Sequence, residues 1–287
     1  MKKIVIFGVG LIGGSVALAL KKAGECPQIV GIGRTHESLK AALNLGVIDV
    51  ANSNIADALK DADIVLIATP VAQTSSILAS IKPFLSSKTI LTDAGSTKGD
   101  VLRCAEDILG TQFNQFIGGH PIAGAEKSGV TAATADLYAN KNVVLTPTAN
   151  TSKQAIDAVT QLWQTCGAKV SAMTAETHDS IFAAVSHLPH LLAFALVDDI
   201  AARPNAQQLF SFAASGFRDF TRIAGSHPEM WRDISLANKT ALLSELTAYQ
   251  AEISYLKSML ENEDRAGLQA LFERASVTRN AWAQDKK

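Results

Sequence analysis

The residue best suited to proton chemistry is His120, in Gly118-Gly119-His120-Pro121-Ile122-Ala123-Gly124-Ala125-Glu126-Lys127-Ser128-Gly129, four glycines in twelve residues around one imidazole. Pro121 disfavours a helical His120, so the ring is predicted on a loop. It is either a proton acceptor or a turn histidine without a task. Ser96, in Asp93-Ala94-Gly95-Ser96-Thr97-Lys98-Gly99, reads as the cap of a helix through Val101 and Leu102 to Leu109, as a site residue, or as both. Gly216 to Ser226 is predicted to be a loop that offers Arg218 and Arg222. A guanidinium binds carboxylates through two parallel hydrogen bonds, so this stretch is suited to an acidic substrate. Arg218 has Asp219 or Asp233 as a structural partner; Arg222 has less local company. His187 and His190 share a helical face with Pro189 between them, each a core or capping histidine or a site residue. A metal pair there is disfavoured, because no acidic or thiol ligands cluster nearby in sequence.

A second reactant is implied at the N-terminus. Lys3 to Phe7 reads as a buried parallel strand that runs into Gly8-Val9-Gly10-Leu11-Ile12-Gly13, then an apolar helical pattern to Ala23. Strand, G-x-G-x-x-G and helix together are the context of dinucleotide binding. Gly8 would allow the tight turn, Gly10 the approach of a pyrophosphate, and Gly13 close packing of helix on sheet. The free N–H groups at Leu11 and Ile12 would meet the negative charge. After the next strand, Gln28 to Ile32, no acidic residue awaits a ribose 2'-hydroxyl. Gly33, Arg34 and Thr35 suit a 2'-phosphate instead, so NADP is expected over NAD, unless Arg34 is only a solvated surface arginine.

Short apolar strands at Ile64 to Ala68 and Thr89 to Thr92 end in Thr69-Pro70-Val71 and Gly95-Ser96-Thr97. Ligands of an open α/β sheet lie beyond such ends, so both turns should border the cofactor. Phe116 to Gly118 is a further strand end, which puts His120 on the same rim. Asn142 to Thr146, a helix from about Ser152 to Thr165, and Lys169 to Met173 form another βαβ unit. From about Thr174 long helical patterns replace strands, starting with Ala175 to about Ala202, which contains His178. The expected organisation is a doubly wound α/β Rossmann-type domain over residues 1–173 and an all-α domain over 174–287. Leu242, Leu246, Tyr249, Ile253, Leu256 and Leu260 repeat at four and three residues, a seam that packs within the helical domain or against a second subunit; a homodimer is the favoured reading.

The totals exclude several classes. A chain of 287 residues with 47% hydrophobic and 18% charged residues is globular, and a net charge of -1 gives no field for nucleic acid or an anionic membrane surface. Cys26, Cys104 and Cys166 lack metal-type spacing and suit buried thiols in a reducing cytoplasm. Gly8 and Gly10 interrupt the apolar start, so no signal peptide is expected, and no run of about 18 apolar residues suggests a membrane span.

Gly8 to Ser15, Asp93 to Gly99, Gly119 to Gly124, Ser186-His187-Leu188-Pro189-His190 and Asp219-Phe220-Thr221-Arg222-Ile223-Ala224 together resemble the prephenate and arogenate dehydrogenases of tyrosine biosynthesis, over nearly the whole chain. The resemblance implies oxidative decarboxylation of prephenate or arogenate with a nicotinamide cofactor. It implies His120 as the base, Ser96 as its companion, and Arg222, His190, His187, Gly124 and Trp231 at the substrate. It also implies that the glycines around His120 let backbone approach a flat ring and the nicotinamide. A 3-hydroxyacid or imino-acid oxidoreductase with Lys239 at its centre, and an NADP-sensing protein without turnover, are the competing readings.

Overall fold

The computed structural model describes residues 1–25, 27–125 and 127–284; Cys26 and Glu126 lie outside them. The strands are β1 (Lys3–Phe7), β2 (Gln28–Ile32), β3 (Val50–Ala51), β4 (Ile64–Ile67), β5 (Ile90–Asp93), β6 (Phe116–Pro121), β7 (Asn142–Thr146) and β8 (Lys169–Ala172). The helices of the first part are α1 (Leu11–Lys22), α2 (His36–Asn44), α3 (Ile55–Leu59), α4 (Thr74–Ile81), α5 (Gly99–Leu109) and α6 (Lys153–Thr165). Then follow α7 (Ala175–Phe182), α8 (Leu188–Ala201), α9 (Ala206–Ser211), α10 (Ser215–Thr221), α11 (Pro228–Ala237), α12 (Lys239–Glu261) and α13 (Arg265–Gln284).

The strands form one sheet in the order β3-β2-β1-β4-β5-β6-β7-β8, parallel except that β7 runs antiparallel to β6. Alternate residues of a strand face opposite sides, and both sides are apolar. Ile4 and Ile6 of β1 pack into a core with Val16 and Leu20 of α1 and Leu162 and Trp163 of α6. Val5 and Phe7 face the other core, with Leu78 of α4 and Val101 and Leu102 of α5. The sheet is thus doubly wound, and the reversal of strand order beside β1 opens a crevice at the carboxyl ends of β1 and β4.

Two sequence expectations change here. His120 lies within β6, opposite Val144 of β7, and not on a loop. Pro121 did force an extended backbone, but the antiparallel partner that turns it into a strand comes from residues far along the chain. The stretch from Gly216 to Ser226 is helical, α10 followed by a 3-10 turn at Arg222–Gly225. Gly216 falls in the first turn of α10, where helix N–H groups lack intrahelical partners in any case and a glycine costs little.

Packing divides the chain at Lys239/Thr240 into units Met1–Lys239 and Thr240–Lys287. The first holds the sheet together with α7 to α11. In it, α7 and α8 join through a π-helical turn, Ala183–His187, with Pro189 in the first turn of α8. The segment Ala175–Ala201 reaches a mean hydropathy of 1.7 over an 18-residue window, long and apolar enough to cross a membrane, although the sequence reading found no such run. Its polar members are engaged elsewhere: Asp179 receives hydrogen bonds from Lys98 and Gly99, and His187 from Asn238. These contacts tie the helix to the rest of the unit, and 28% of the apolar window is buried. In the second unit the predicted seam of α12 is half covered. Leu242 is buried and Leu246 and Leu256 are partly so, while Tyr249, Ile253 and Leu260 are exposed, as are Phe272, Val277 and Trp282 of α13.

Candidate active site

Three turns converge at the carboxyl ends of β1, β4 and β5. Gly8 has φ 90°, and a Cβ there would lie 2.6 Å from the Ala68 carbonyl oxygen and 2.9 Å from Thr69 Cγ2. A Cβ on Gly13 would lie 2.3 Å from the Gly8 oxygen and 2.7 Å from Ile6, so this glycine lets α1 pack on the sheet. Gly10 differs: nothing lies within 4 Å of its Cβ position, and as the N-cap of α1 it provides no side-chain cap. With no side-chain cap at Gly10, the first-turn N–H groups of α1 form the donor set a pyrophosphate needs. Thr69 adds a buried hydroxyl without a partner among the described residues, beside Pro70 and Val71. Val71 approaches Gly95, where a Cβ would lie 2.7 Å away, so the turns after β4 and β5 touch. These residues fit a dinucleotide. Beyond β2, Arg34 is exposed after Gly33, and Thr35 caps α2 by accepting a hydrogen bond from Ser38 N (3.3 Å).

The base site grows from β6. His120 Nδ1 lies 2.8 Å from His178 Nε2, and His178 Nδ1 lies 2.8 Å from Asp179 Oδ1. A carboxylate only accepts, so His178 Nδ1 carries a hydrogen and donates it. Burial lowers the pKa of His178, Asp179 opposing, so its Nε2 holds a lone pair and accepts from His120 Nδ1. His120 Nε2 is left with an unshared pair. Burial holds His120 well below its ordinary value, helped by His178, Lys98 and His187, which keeps that pair free at neutral pH. Burial alone would raise the Asp179 carboxyl, but hydrogen bonds from His178, Lys98 N (2.9 Å) and Gly99 N (2.8 Å) outweigh it and keep Asp179 ionised. Phe182 packs on both imidazoles, its ring centroid 4.8 Å from His120 and 4.5 Å from His178.

A second group of rings stands along the same helices. His190 stacks on Trp231 at 3.6 Å between centroids and donates Nδ1–H to the Ser186 carbonyl (2.8 Å), which leaves its Nε2 available. Arg222 is exposed and close enough that its charge lowers the His190 pKa, behind burial as the main cause. His187 is buried, meets the Trp231 edge at 6.0 Å and accepts from Asn238 Nδ2 (3.1 Å); burial brings its pKa down to about 4.

Of the residues singled out in sequence, the structure groups His120 with the histidine helix and His190 with Trp231 and Arg222. It corrects others. Ser96 does not cap α5, whose start is held by the Asp179 carboxylate; Ser96 stays partly exposed on the rim. Gly118 and Gly119 are closely packed by protein on the Cβ side, where a Cβ would meet Thr146 Oγ1 at 2.5 Å and the Asp93 carbonyl at 2.8 Å. Gly124 is exposed, with open space at its Cβ position. Lys239 is exposed, and its neighbour Asn238 is the residue turned toward His187. Sequence reasoning missed Asp179 and Asn238 and gave His178 no role. The available signal was a His-Asp pair in the first turns of the first helix beyond Thr174.

Comparison with known proteins agrees with this architecture. The family described as "Prephenate dehydrogenase, nucleotide-binding domain" matches residues 16–172, and "Prephenate dehydrogenase, dimerization domain" matches residues 174–274. The chain is 41% identical to the prephenate dehydrogenase of Bacillus subtilis, covering 96% of this chain and 75% of that protein. It is 35% identical to the cyclohexadienyl dehydrogenase of Zymomonas mobilis, over 99% and 97%. The crystal structure of prephenate dehydrogenase from A. aeolicus in complex with hydroxyphenyl propionate and NAD+ superimposes with a TM-score of 0.92 at 39% identity, over 97% of each chain.

Proposed function

The chain belongs to the prephenate dehydrogenase family and is a dehydrogenase that uses a nicotinamide dinucleotide; from that premise we propose that it oxidatively decarboxylates prephenate to 4-hydroxyphenylpyruvate, arogenate to tyrosine, or both. NADP is the preferred cofactor in this reading, and the active form is a cytoplasmic homodimer. The observation that carries the chemistry is the Asp179–His178–His120 chain, which leaves one unshared pair on His120 Nε2.

The turns at Gly8, Gly10, Gly13, Thr69 and Gly95 hold the dinucleotide, and when bound its nicotinamide supplies a hydride acceptor. His120 Nε2 takes the proton of the ring hydroxyl as hydride leaves the same carbon. The dienone so formed loses its ring carboxylate as CO2, and aromatisation drives that loss. The electrons left behind make a phenolate, to which His120 can return the same proton, so the base is regenerated without exchange with solvent. Asp179, through His178, supports the positive charge while His120 holds the proton. Arg222 binds a substrate carboxylate, and His190, held by Trp231 and Ser186, makes a further contact.

The NADP preference rests on Gly33 and Arg34 after β2, where an acidic residue would favour NAD. The dimer rests on the exposed Tyr249, Ile253 and Leu260 and on the family's description of residues 174–274. A steady-state assay with prephenate and arogenate crossed against NADP and NAD tests the reading. Reduction with neither substrate would sink the activity, and equal Michaelis constants for the two cofactors would sink the preference.

A further inference from the structure

We infer that Lys98, paired with Asp93, is a positioning residue for the base: its buried side chain fixes the backbone that carries His120, and its backbone N–H fixes the carboxylate that ends the relay. The inference rests on the reading of His120 as the base. Lys98 is fully buried, as is Asp93, to whose Oδ2 it donates. A lysine is almost never fully buried without a task for its charge, and a buried ion pair is weak evidence for stability, since apolar side chains of similar volume often serve as well.

The task is visible at Gly119. Pairing between β5 and β6 stops at Thr92 and Ile117, so the backbone just before His120 has lost its strand neighbour on that side. The ion pair takes its place. Asp93 Oδ1 accepts from Gly119 N (3.0 Å), and Lys98 Nζ donates to the Gly119 carbonyl (2.8 Å). Both polar groups of the residue preceding His120 are thereby held. The lysine stem passes Gly118, where a Cβ would lie 3.2 Å from its Cδ. Asp93 Oδ2 also accepts from Gly95 N (2.8 Å), fixing the rim loop that carries Ser96. At the other end, Lys98 N donates to Asp179 Oδ1 (2.9 Å). One residue thus touches the strand of the base, the rim loop and the relay carboxylate.

Charge follows position. The titratable and charged groups facing the two imidazoles are Lys98, Asp93, Asp179 and His187. The ammonium disfavours a second positive charge on either ring, so removing it while leaving Asp93 should make His120 easier to protonate.

The test is Lys98→Met, with kcat and KM measured across pH and the His120 imidazole titrated by NMR in the protein alone. The expected result is turnover slower by about 10-fold or more, part of the roughly 10²- to 10⁴-fold a positioned base supplies, with both KM values within about 3-fold of the parent. The acidic limb of kcat/KM and the NMR titration of His120 should both move to higher pH, which a merely structural ion pair would not produce. Asp93→Asn combined with Lys98→Met leaves no buried carboxylate without its ammonium, and turnover should still fall. If Lys98→Met does not fold, this double variant decides, and parental turnover in it overturns the inference. Parental turnover and an unmoved His120 titration in folded Lys98→Met overturn it equally. Near-normal activity in His120→Asn would remove the base reading alone, because the NMR titration stands apart from catalysis.

Discussion

His178 accepts a hydrogen bond from His120 through ring nitrogens 2.8 Å apart, and the direction of that bond is dictated by Asp179 on the far side of His178. The protonation pattern of the base is therefore written two residues away from it.

Asp179→Asn should reverse the pattern. An amide can donate to His178 Nδ1, which moves the His178 hydrogen to Nε2 and obliges His120 to accept at Nδ1. The His120 hydrogen then occupies Nε2, where the substrate proton must go. Turnover is expected to fall by about 10²-fold or more with KM little changed. Parental kcat in a folded Asp179→Asn enzyme would refute the relay.

His120→Asn keeps a polar side chain in β6 but cannot take a proton. It should lower kcat by roughly 10²- to 10⁴-fold and leave KM for substrate and cofactor nearly unchanged, as expected for an interaction made only in the transition state. Steady-state kinetics decide it, and near-normal turnover would rule out the mechanism.

Arg222→Ala should act on binding. Loss of a charge-assisted carboxylate contact, worth about 1.5–3 kcal/mol, predicts a KM for substrate raised by roughly 10- to 100-fold with kcat less affected. A larger effect on kcat than on KM would assign Arg222 to the chemical step instead.

Acid should weaken the fold well above the carboxylate range. His187 titrates near 6.5 when unfolded and at about 4 in the native protein. Above 6.5 neither state is protonated and the full stability is present; as pH falls from 6.5 to 4 only the unfolded chain gains the proton. The loss for this buried group is about 3 kcal/mol. His120, His178 and His190 are lowered too and add the same sign. Urea midpoints should fall through this window, and less steeply in His187→Gln. Equal slopes would show that His187 does not stay neutral.

Much of the fold could be read from local pattern. β1, β2 and β7 were delimited by β-branched runs against glycine or polar boundaries, and Ser152 announced α6, which it caps through Ala155 N. The glycine fingerprint was legible because its spacing stands between a strand and a helix, although the close contacts that require Gly8 come from Ala68 and Thr69 far along the chain. The relay was not legible. His178 and His120 are 58 residues apart, and only the packing of α7 across the end of β6 brings them together. Asp93 and Lys98 stood in a motif already singled out, but their pairing depends on Gly119, which nothing local relates to them. Ser96 misled because serine before a helix usually caps it; here a carboxylate from another helix has taken that place.

The π turn at Ala183–His187 sets the phase of everything after it. His178 and His190 are twelve residues apart. At about 100° per residue, an uninterrupted α-helix would point them about 120° apart. A wider turn absorbs one surplus residue, so the effective spacing is eleven and the two rings come within about 20° of a common line. One extra residue thus acts as an angular correction, setting the middle imidazole of the proton relay and the His190–Trp231 stack along one side of a single rod.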